Sequence, residues 1–273
     1  MGKFVFLKIY PMVKSLSRRT VKFVNVLCLS MAAFFFLSFL PLASAPVPYP
    51  APAPERTIVH ARPVAARNTN FSFADSSRLN MLYNSLQLDS LGLSFEAFHK
   101  GIAGFLSLVI SGDVQNTGVL SIIDFSKPST QKRLYVFDMY NETLLFNSLV
   151  AHGRNSGVLI PTRFSNRPNS YMSSLGFYLT GESFMGQHGY SLRLEGKEKG
   201  WNDNALHRSI IMHPADYVSE DHIQHWGYLG RSEGCPAIPE DLGRSIIDNI
   251  RGGSCLFIYS PDIRYMHRSR LGS

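Results

Sequence analysis

The nine residues GRSEGCPAI (Gly230–Ile238) place one cysteine, Cys235, in a loop-forming context of glycine and proline. Glycine lets the backbone come close to a bound molecule, and loops held by a rigid scaffold often carry catalytic groups. A thiol that only fills space in a core does not need such surroundings. The residues alone leave four roles for Cys235: a nucleophile, half of a disulfide, a metal ligand or a core residue.

A catalytic cysteine reacts as a thiolate, so it needs a base or a positive field beside it at neutral pH. Among the nine histidines of the chain, His213 is the best placed. It ends the apolar run SIIM (209–212) and precedes Pro214, which indicates the end of a strand. His152, in VAHGRNSG (150–157), also ends a strand-like run, and we expect it to line the same cleft. A histidine at a strand end is more often structural, and only the cysteine loop favours His213.

Arg231 and Ser232 stand just before the cysteine. A guanidinium there can lower a thiol pKa or bind a substrate carboxylate, and the alternative is a surface arginine beside a turn serine. The stretch DHIQHW (221–226) contains His222 and His225, which raises the possibility of zinc. Two histidines without a fixed third ligand do not make a zinc site, so we predict a surface helix or loop, no metal and no cofactor.

The N-terminal region has the order of a secretory signal. Its first 22 residues contain six basic and no acidic residues, an uncharged run follows over 23–42, and ASA occupies 43–45. We therefore predict a signal peptide, or a retained membrane anchor, over 1–45 and export to the periplasm or cell envelope. Subtracting those six from 27 Lys and Arg leaves 21 against 20 Asp and Glu. A nearly neutral mature chain does not favour a nucleic-acid partner.

Export makes a disulfide an open alternative, because only Cys235 and Cys255 remain after residue 45. Cys255 lies inside the apolar stretch SCLFIY (254–259), which suits a buried and inert thiol. A disulfide between the two cysteines would make the chain a wall-binding module rather than an enzyme.

The rest of the chain divides by composition. Residues 46–75 begin with closely spaced prolines and predict a linker, and 76–115 have helical periodicity, with Ser94 as a cap. Short runs rich in β-branched and aromatic residues then predict a mainly β domain over 116–262, including a hairpin at MYNE (139–142) and one helix over 239–252. Residues 263–273 are predicted to be a C-terminal tail.

A series of motifs in one order resembles the murein L,D-transpeptidase catalytic family of the YkuD type, in the branch with a GRSxGCPA loop. The resemblance runs from about Asp124 to Ser260. Besides the cysteine loop, it rests on DFSKPSTQKRLYVFD (124–138), LVAHGRNSG (149–157), FSNRPNSYMSSLGFYLTGE (164–182), GYSLRLEGKEKGWNDNA (189–205), IIMHPADYVSED (210–221) and FIYSPD (257–262). These motifs are specific in combination, although no single one is.

The resemblance implies a β-sandwich-like fold with flanking helices, Cys235 as nucleophile, His213 as its base, and Ser232 and Gly234 shaping the cysteine loop. We expect the N–H groups of Gly234 and Cys235 to stabilise the oxyanion. Family members attack a peptidoglycan tetrapeptide stem, release D-Ala and form a 3-3 cross-link with a second stem. An L,D-carboxypeptidase, in which water is the acceptor, uses the same acyl-enzyme and stays an alternative. A sortase is disfavoured because the chain has no TLxTC-like strand.

Two positions depart from the wider family pattern, which has His before the Gly-Cys pair and Arg two places after the cysteine. Here they are Glu233 and Ala237. The missing arginine suggests that Arg231 binds the substrate carboxylate instead. A carboxylate pointing at the thiol would oppose its ionisation, so we expect Glu233 to face solvent.

Overall fold

The computed structural model describes residues 76–271. The predicted signal or anchor segment and the linker, residues 1–75, lie outside this range, as do 272–273. Among the described residues, no helix combines the length and the apolar character needed to cross a membrane.

Two helices come first, α1 (Ser76–Ser85) and α2 (Phe95–Ile110). The Ser94 hydroxyl accepts a hydrogen bond from the Ala97 N–H at 3.2 Å and so caps α2. Two glycines of α2 lie directly against side chains of the sheet, because a methyl group at either would overlap a neighbour: Ile122 or Phe177. These contacts give the close helix-to-sheet approach that places α2 in the core.

Eight strands and three further helices follow. The strands are β1 (Val119–Asp124), β2 (Leu134–Asp138), β3 (Thr143–Ser148), β4 (Gly176–Gly186), β5 (Gly189–Gly196), β6 (Ile211–Pro214), β7 (Ala237–Ile238) and β8 (Cys255–Tyr259). The helices are α3 (Glu220–Trp226), α4 (Glu240–Ile250) and α5 (Ile263–Arg268). The antiparallel β2–β3 pair confirms the predicted hairpin.

The eight strands form one mixed sheet in the order β3-β2-β1-β8-β4-β5-β6-β7. The chain just beyond β3 returns to the opposite edge, where Ala151 forms a bridge with Ala237 of β7. This bridge brings the two edges of the sheet together. The fold is therefore better described as a nearly barrel-like mixed sheet with a few helices than as the β-sandwich that the resemblance implies.

One main core contains buried residues of the sheet and of the helices α1, α2, α4 and α5. β1 and β8 pair in parallel and are almost entirely buried, which explains their continuous apolar runs. Phe177 of β4 stacks on Phe257 of β8 with ring centroids 4.2 Å apart. The buried centre of the sheet is connected to its β6–β7 edge through β4 and β5.

The segment predicted as a C-terminal tail begins with α5 and belongs to this core through Tyr265. The Tyr265 hydroxyl donates to Glu198 Oε2 at 2.8 Å, and the Ser269 hydroxyl donates to Glu198 Oε1 at 2.6 Å. Glu198 Oε2 also accepts from the Phe177 N–H at 2.8 Å. One buried carboxylate therefore connects α5 to β4.

Candidate active site

A cavity of about 870 Å³ lies beside β6 and the loop that leads into β7. We call Gly230–Pro236 the cysteine loop. The wall of the cavity is formed by the cysteine loop, the turn between β4 and β5, residues 168–171 and residues 206–211. Both Cys235 and His213 line this cavity. The structure thus brings together the two residues that the sequence analysis names as nucleophile and base.

The parallel pairing of β6 and β7 explains this juxtaposition. His213 on β6 is the partner of Ala237 on β7, and the His213 N–H donates to the Pro236 carbonyl at 3.4 Å. Cys235 precedes Pro236, so the loop delivers the thiol to the end of β6 where the histidine lies. The distant positions 213 and 235 become neighbours because a two-residue strand fixes the register.

Ser232 shapes the cysteine loop. Its hydroxyl donates to the Cys235 carbonyl at 2.6 Å and accepts from the Gly234 N–H at 3.0 Å. Gly234 has φ +127, and an added Cβ would lie 2.7 Å from the Met172 carbonyl oxygen. Both the backbone angle and the space require glycine at this position.

The two backbone amides that are expected to stabilise the oxyanion differ in their hydrogen bonds. The Gly234 N–H is already bonded to Ser232 in the resting site. The Cys235 N–H has no acceptor among residues 76–271. Of the two amides, the Cys235 N–H is therefore the one that is unpaired, whereas the Gly234 N–H is bonded within the loop.

The thiol lies in a half-buried position with polar backbone around it. Cys235 Sγ is 3.8 Å from the Ser209 carbonyl oxygen, to which it donates. Burial raises the pKa of the Cys235 thiol above its ordinary value, and the nearby Glu233 carboxylate adds to this rise. The Ile211 N–H and the Arg208 guanidinium oppose it by lowering the pKa. The net direction is upward, so Cys235 is a neutral thiol at pH 7.

The His213 ring is held by one hydrogen bond and one ring contact. Its Nδ1 lies 2.9 Å from the carbonyl oxygen of Pro214, which assigns the proton to Nδ1 and the lone pair to Nε2. Its ring stacks on that of His188 with centroids 4.4 Å apart. Burial is the main cause that lowers the pKa of His213, and the neighbouring His188 lowers it further. The ring is therefore neutral at pH 7.

His152 lies outside the cavity wall and is fully buried. Its Nδ1 is 2.8 Å from Arg133 Nη2, and its Nε2 is 3.2 Å from the Gly157 carbonyl oxygen. Burial, helped by the Arg133 charge, lowers the pKa of His152 to about 3. The His152 carbonyl accepts from the Ser232 N–H at 3.0 Å, so this residue supports the cysteine loop instead of touching a substrate.

Arg231 lines the cavity, with its guanidinium 5.2 Å from the centre of the Tyr228 ring. The Glu233 side chain is 69% exposed and pairs with Arg154 at 3.4 Å, which confirms that it faces solvent. Ala237 is fully buried in a small apolar cluster with Leu149 and others, so its side chain lies away from the cavity.

The described residues bear on two of the alternative roles for the cysteine, half of a disulfide and a metal ligand. Cys235 and Cys255 are both free thiols, and Cys255 is buried within β8, which is at odds with the disulfide. His222 and His225 lie on the exposed helix α3. Within residues 76–271, no group of three or more His, Cys, Asp or Glu side chains is placed to hold a metal ion.

Several cavity residues were not predicted from sequence. Arg208 and His188 line the cavity and lie outside the quoted motifs, and Arg193 lines it and lies within one of them. Two other wall residues, Asn169 and Tyr171, have φ near +56 and +55, an unusual angle for a residue with a side chain. Such backbone strain clusters at functional sites, but only the folded structure reveals it.

A protein-family model described as L,D-transpeptidase catalytic domain matches residues 89–259, more than half of the chain. No curated protein sequence matches this chain. Among solved structures, an L,D-transpeptidase from Mycobacterium smegmatis is 13% identical with a TM-score of 0.33, covering 52% of this chain and 59% of that one. An L,D-transpeptidase from Mycobacterium tuberculosis H37Rv is 11% identical with a TM-score of 0.33, covering 52% and 58%.

The helical cell shape determining protein Pgp2 from Campylobacter jejuni is 13% identical with a TM-score of 0.34, covering 59% of this chain and 56% of that one. The chain thus spans less than two thirds of the length of each of these structures. The match of the family model covers the cysteine loop, β6 and the cavity wall. This chain therefore belongs to the L,D-transpeptidase catalytic domain family.

Proposed function

We propose that this chain is an exported cysteine acyltransferase that joins two peptidoglycan stem peptides through a 3-3 cross-link and releases D-Ala. The observation that supports this proposal is the convergence of Cys235 and His213 on one cavity, with the lone pair of His213 on Nε2. A thiol, a neutral imidazole and an unpaired amide are the groups that acyl transfer through a thioester requires.

Acylation begins when His213 Nε2 takes the proton of the Cys235 thiol. The thiolate attacks the carbonyl of the diamino acid before the terminal D-Ala, and the oxyanion accepts a hydrogen bond from the Cys235 N–H. A positioned donor of this kind is worth about 3 kcal/mol in the transition state. The intermediate collapses as the bond to D-Ala breaks, and the leaving amine receives the proton from His213. The product is a thioester on Cys235.

The second half-reaction reverses the roles. The side-chain amine of another stem attacks the thioester carbonyl and passes a proton to His213 Nε2. The carbon–sulfur bond breaks, the new amide forms, and the proton returns to the sulfur of Cys235. In a carboxypeptidase, water replaces the amine in this step and the other atoms follow the same course.

The charge of the cavity suits a peptide with free carboxylates. Arg193 and Arg231 line it, and a guanidinium binds a carboxylate through paired hydrogen bonds. The acidic residue of the wall, Glu233, is turned to solvent beside Arg154. Arg231 adjoins the cysteine loop and is the residue we assign to a carboxylate of the donor stem.

Export is part of the proposal because the stem peptides lie outside the cytoplasm. The support is the order of basic, uncharged and small residues over 1–45. Sequencing the N-terminus of protein from its native host should give a start near Pro46. A membrane-embedded protein that retains residues 1–45 would instead support an anchor.

Defined tetrapeptide muropeptides, followed by mass spectrometry of the products, test the reaction. We expect dimers linked between two diamino acids, together with free D-Ala. Tripeptides and D-Ala alone, in the presence of abundant acceptor, would identify a carboxypeptidase. The matched pair Cys235→Ala and Cys255→Ala separates the two thiols: the first should abolish turnover and the second should retain it, because Cys255 is buried in β8.

A further inference from the structure

The Cys235 thiolate forms in a place that does not favour negative charge. The residue is half-buried, it packs against the main core, and Glu233 stands two residues before it in the same loop. A thiolate in such surroundings needs a nearby positive group. The residues of the cysteine loop itself do not supply one at the sulfur, since Arg231 extends to the Tyr228 ring.

Arg208 lies against the cysteine loop from a different part of the chain. An added Cβ on Gly234, the residue before the cysteine, would lie 3.1 Å from Arg208 Nη2. The guanidinium is held in place by bonds from Nη2 to the Met172 carbonyl at 2.6 Å and from Nη1 to the Ser165 carbonyl at 2.8 Å. Its direction is therefore fixed before any substrate binds.

The backbone after Arg208 is bent so that the same segment surrounds the sulfur. Ser209 has φ +54, a left-handed angle that costs energy for a residue with a side chain. Its carbonyl accepts from the Cys235 thiol at 3.8 Å, and the Ile211 N–H is directed at the sulfur. This turn also ends the preceding helical turns, because the Ile210 N–H donates to the Ala205 carbonyl at 2.9 Å. The same bend therefore places Arg208 and the Ser209 carbonyl beside the cysteine loop.

We propose that Arg208 is a positioning residue for the nucleophile, whose fixed guanidinium stabilises the thiolate of Cys235 when His213 removes its proton. The proposal rests on the assignment of Cys235 as nucleophile under Proposed function. The alternative is that Arg208 only braces residues 165–174, which its four hydrogen bonds reach. Stabilisation of the thiolate depends on the positive charge of Arg208, whereas bracing of residues 165–174 depends on its hydrogen bonds.

Other charged or titratable groups line the same cavity as the thiol and set the background for a pH measurement. They are His213 on β6, Tyr217 after β6, Glu233 and Arg231 in the cysteine loop, Tyr171 before β4, His188 in the β4–β5 turn, Arg193 on β5 and His207 before β6. All of them remain unchanged in the variants below, so a difference between variants reports on position 208.

The test is the pH dependence of Cys235 alkylation by iodoacetamide, measured on Arg208→Gln, Arg208→Lys and the parent protein. Alkylation follows the thiolate fraction and needs no peptidoglycan substrate, so its result is independent of whether the transpeptidase reaction is observed. Arg244→Gln, a matched loss of an exposed arginine outside the cavity wall, controls for net charge. Circular dichroism verifies that each variant is folded.

We expect Arg208→Gln to move the alkylation midpoint up by about one pH unit, which lowers the rate at a fixed pH below it roughly tenfold. Arg208→Lys keeps a charge but not the fork of hydrogen bonds, and its midpoint should stay within a few tenths of the parent value. A folded Arg208→Gln protein with an unchanged midpoint would overturn the proposal. If Arg208→Gln does not fold, a full shift in Arg208→Lys would overturn it equally, because the bonds and not the charge would then be responsible.

Discussion

Single residues set the protonation state from which the reaction starts. Burial raises the pKa of the Cys235 thiol and lowers the pKa of the His213 ring, so the resting pair is a thiol beside a neutral imidazole. In the proposed mechanism, His213 acts as a general base during attack, a role worth about 10²- to 10⁴-fold in rate. A preformed thiolate–imidazolium pair would have required the opposite shift of both groups.

This neutral pair has a measurable pH dependence. The rate of Cys235 alkylation by iodoacetamide should keep rising beyond pH 9, about tenfold per pH unit below the thiol pKa, because that pKa lies above its ordinary value. The measurement is the alkylation rate between pH 5 and 10 in the Cys255→Ala background. A plateau between pH 5 and 8 would instead indicate an ion pair and contradict the neutral resting state.

Gly234 provides a second prediction at this scale. An alanine there combines φ +127 with a Cβ 2.7 Å from the Met172 carbonyl, so the loop must move. We expect Gly234→Ala to lose about 1 to 3 kcal/mol of unfolding free energy and most of its acylation by a carbapenem, which mimics the acyl donor in this family. Urea unfolding and intact-mass spectrometry measure the two effects.

The control is Gly200→Ala. Gly200 also has a positive φ, +83, but an added Cβ meets no atom within 4 Å, and the residue lies outside the cavity wall. This variant should lose roughly 1 to 2 kcal/mol from backbone strain alone and keep its acylation. Normal acylation in Gly234→Ala would show that the shape of the cysteine loop is not needed.

At the scale of elements, short runs rich in β-branched and aromatic residues coincide with the seven longer strands, and the predicted helix over 239–252 coincides with α4. The runs do not predict β7, whose two residues are too few to form a pattern. Yet β7 sets the register that brings Cys235 to His213. The motif and its resemblance identify the two residues, whereas Arg208 and His188 reach the cavity through long-range packing that a local pattern does not encode.

His152 illustrates a strand-end histidine with a supporting role, and its burial predicts a pH effect on stability. Its folded pKa of about 3 lies below the ordinary value near 6.5, so the unfolded chain binds the proton first as pH falls. The contribution is therefore complete above pH 7 and is lost as pH falls below 6.5. Because of His152 alone, the free energy of unfolding should fall by about 2 kcal/mol when the pH is lowered from 7.5 to 5.

Urea unfolding at both pH values, on the parent protein and on His152→Gln, measures this contribution. Glutamine offers an acceptor to Arg133 and a donor to the Gly157 carbonyl, as the histidine does, but it does not titrate. The free energy of unfolding of the variant should fall by about 2 kcal/mol less than that of the parent over this pH range. Equal losses in the two proteins would show that His152 is not the titrating group.

At the scale of the whole molecule, the described residues share one main core from α1 to α5. The helical segment and the C-terminal tail, which the sequence separates from the catalytic domain, are therefore packed into the same unit as the sheet. Composition marks where patterns change, but it does not show that α2 covers β1 and β8 or that Glu198 connects α5 to β4.

The C-terminal connection predicts a stability effect without an effect on the site. Tyr265→Phe removes the hydroxyl that donates to Glu198 Oε2, and it should cost about 2 kcal/mol of unfolding free energy. Tyr140→Phe, at a position that is 67% exposed, should cost less than about 0.5 kcal/mol. Urea unfolding compares them, and Cys235 alkylation should be unchanged in both. An unchanged free energy of unfolding in Tyr265→Phe would show that the hydrogen bond from Tyr265 to Glu198 does not stabilise the fold.

The most direct test of the central claim is to locate the acyl-enzyme. The purified protein is mixed with a tetrapeptide donor stem without an acceptor, quenched in acid and digested, and the modified peptide is sequenced by mass spectrometry. We predict a thioester between the diamino acid carbonyl and Cys235, free D-Ala in equal amount, and no adduct in Cys235→Ala. An adduct on Cys255, or D-Ala release by Cys235→Ala at the parent rate, would contradict the assignment of Cys235 as the nucleophile.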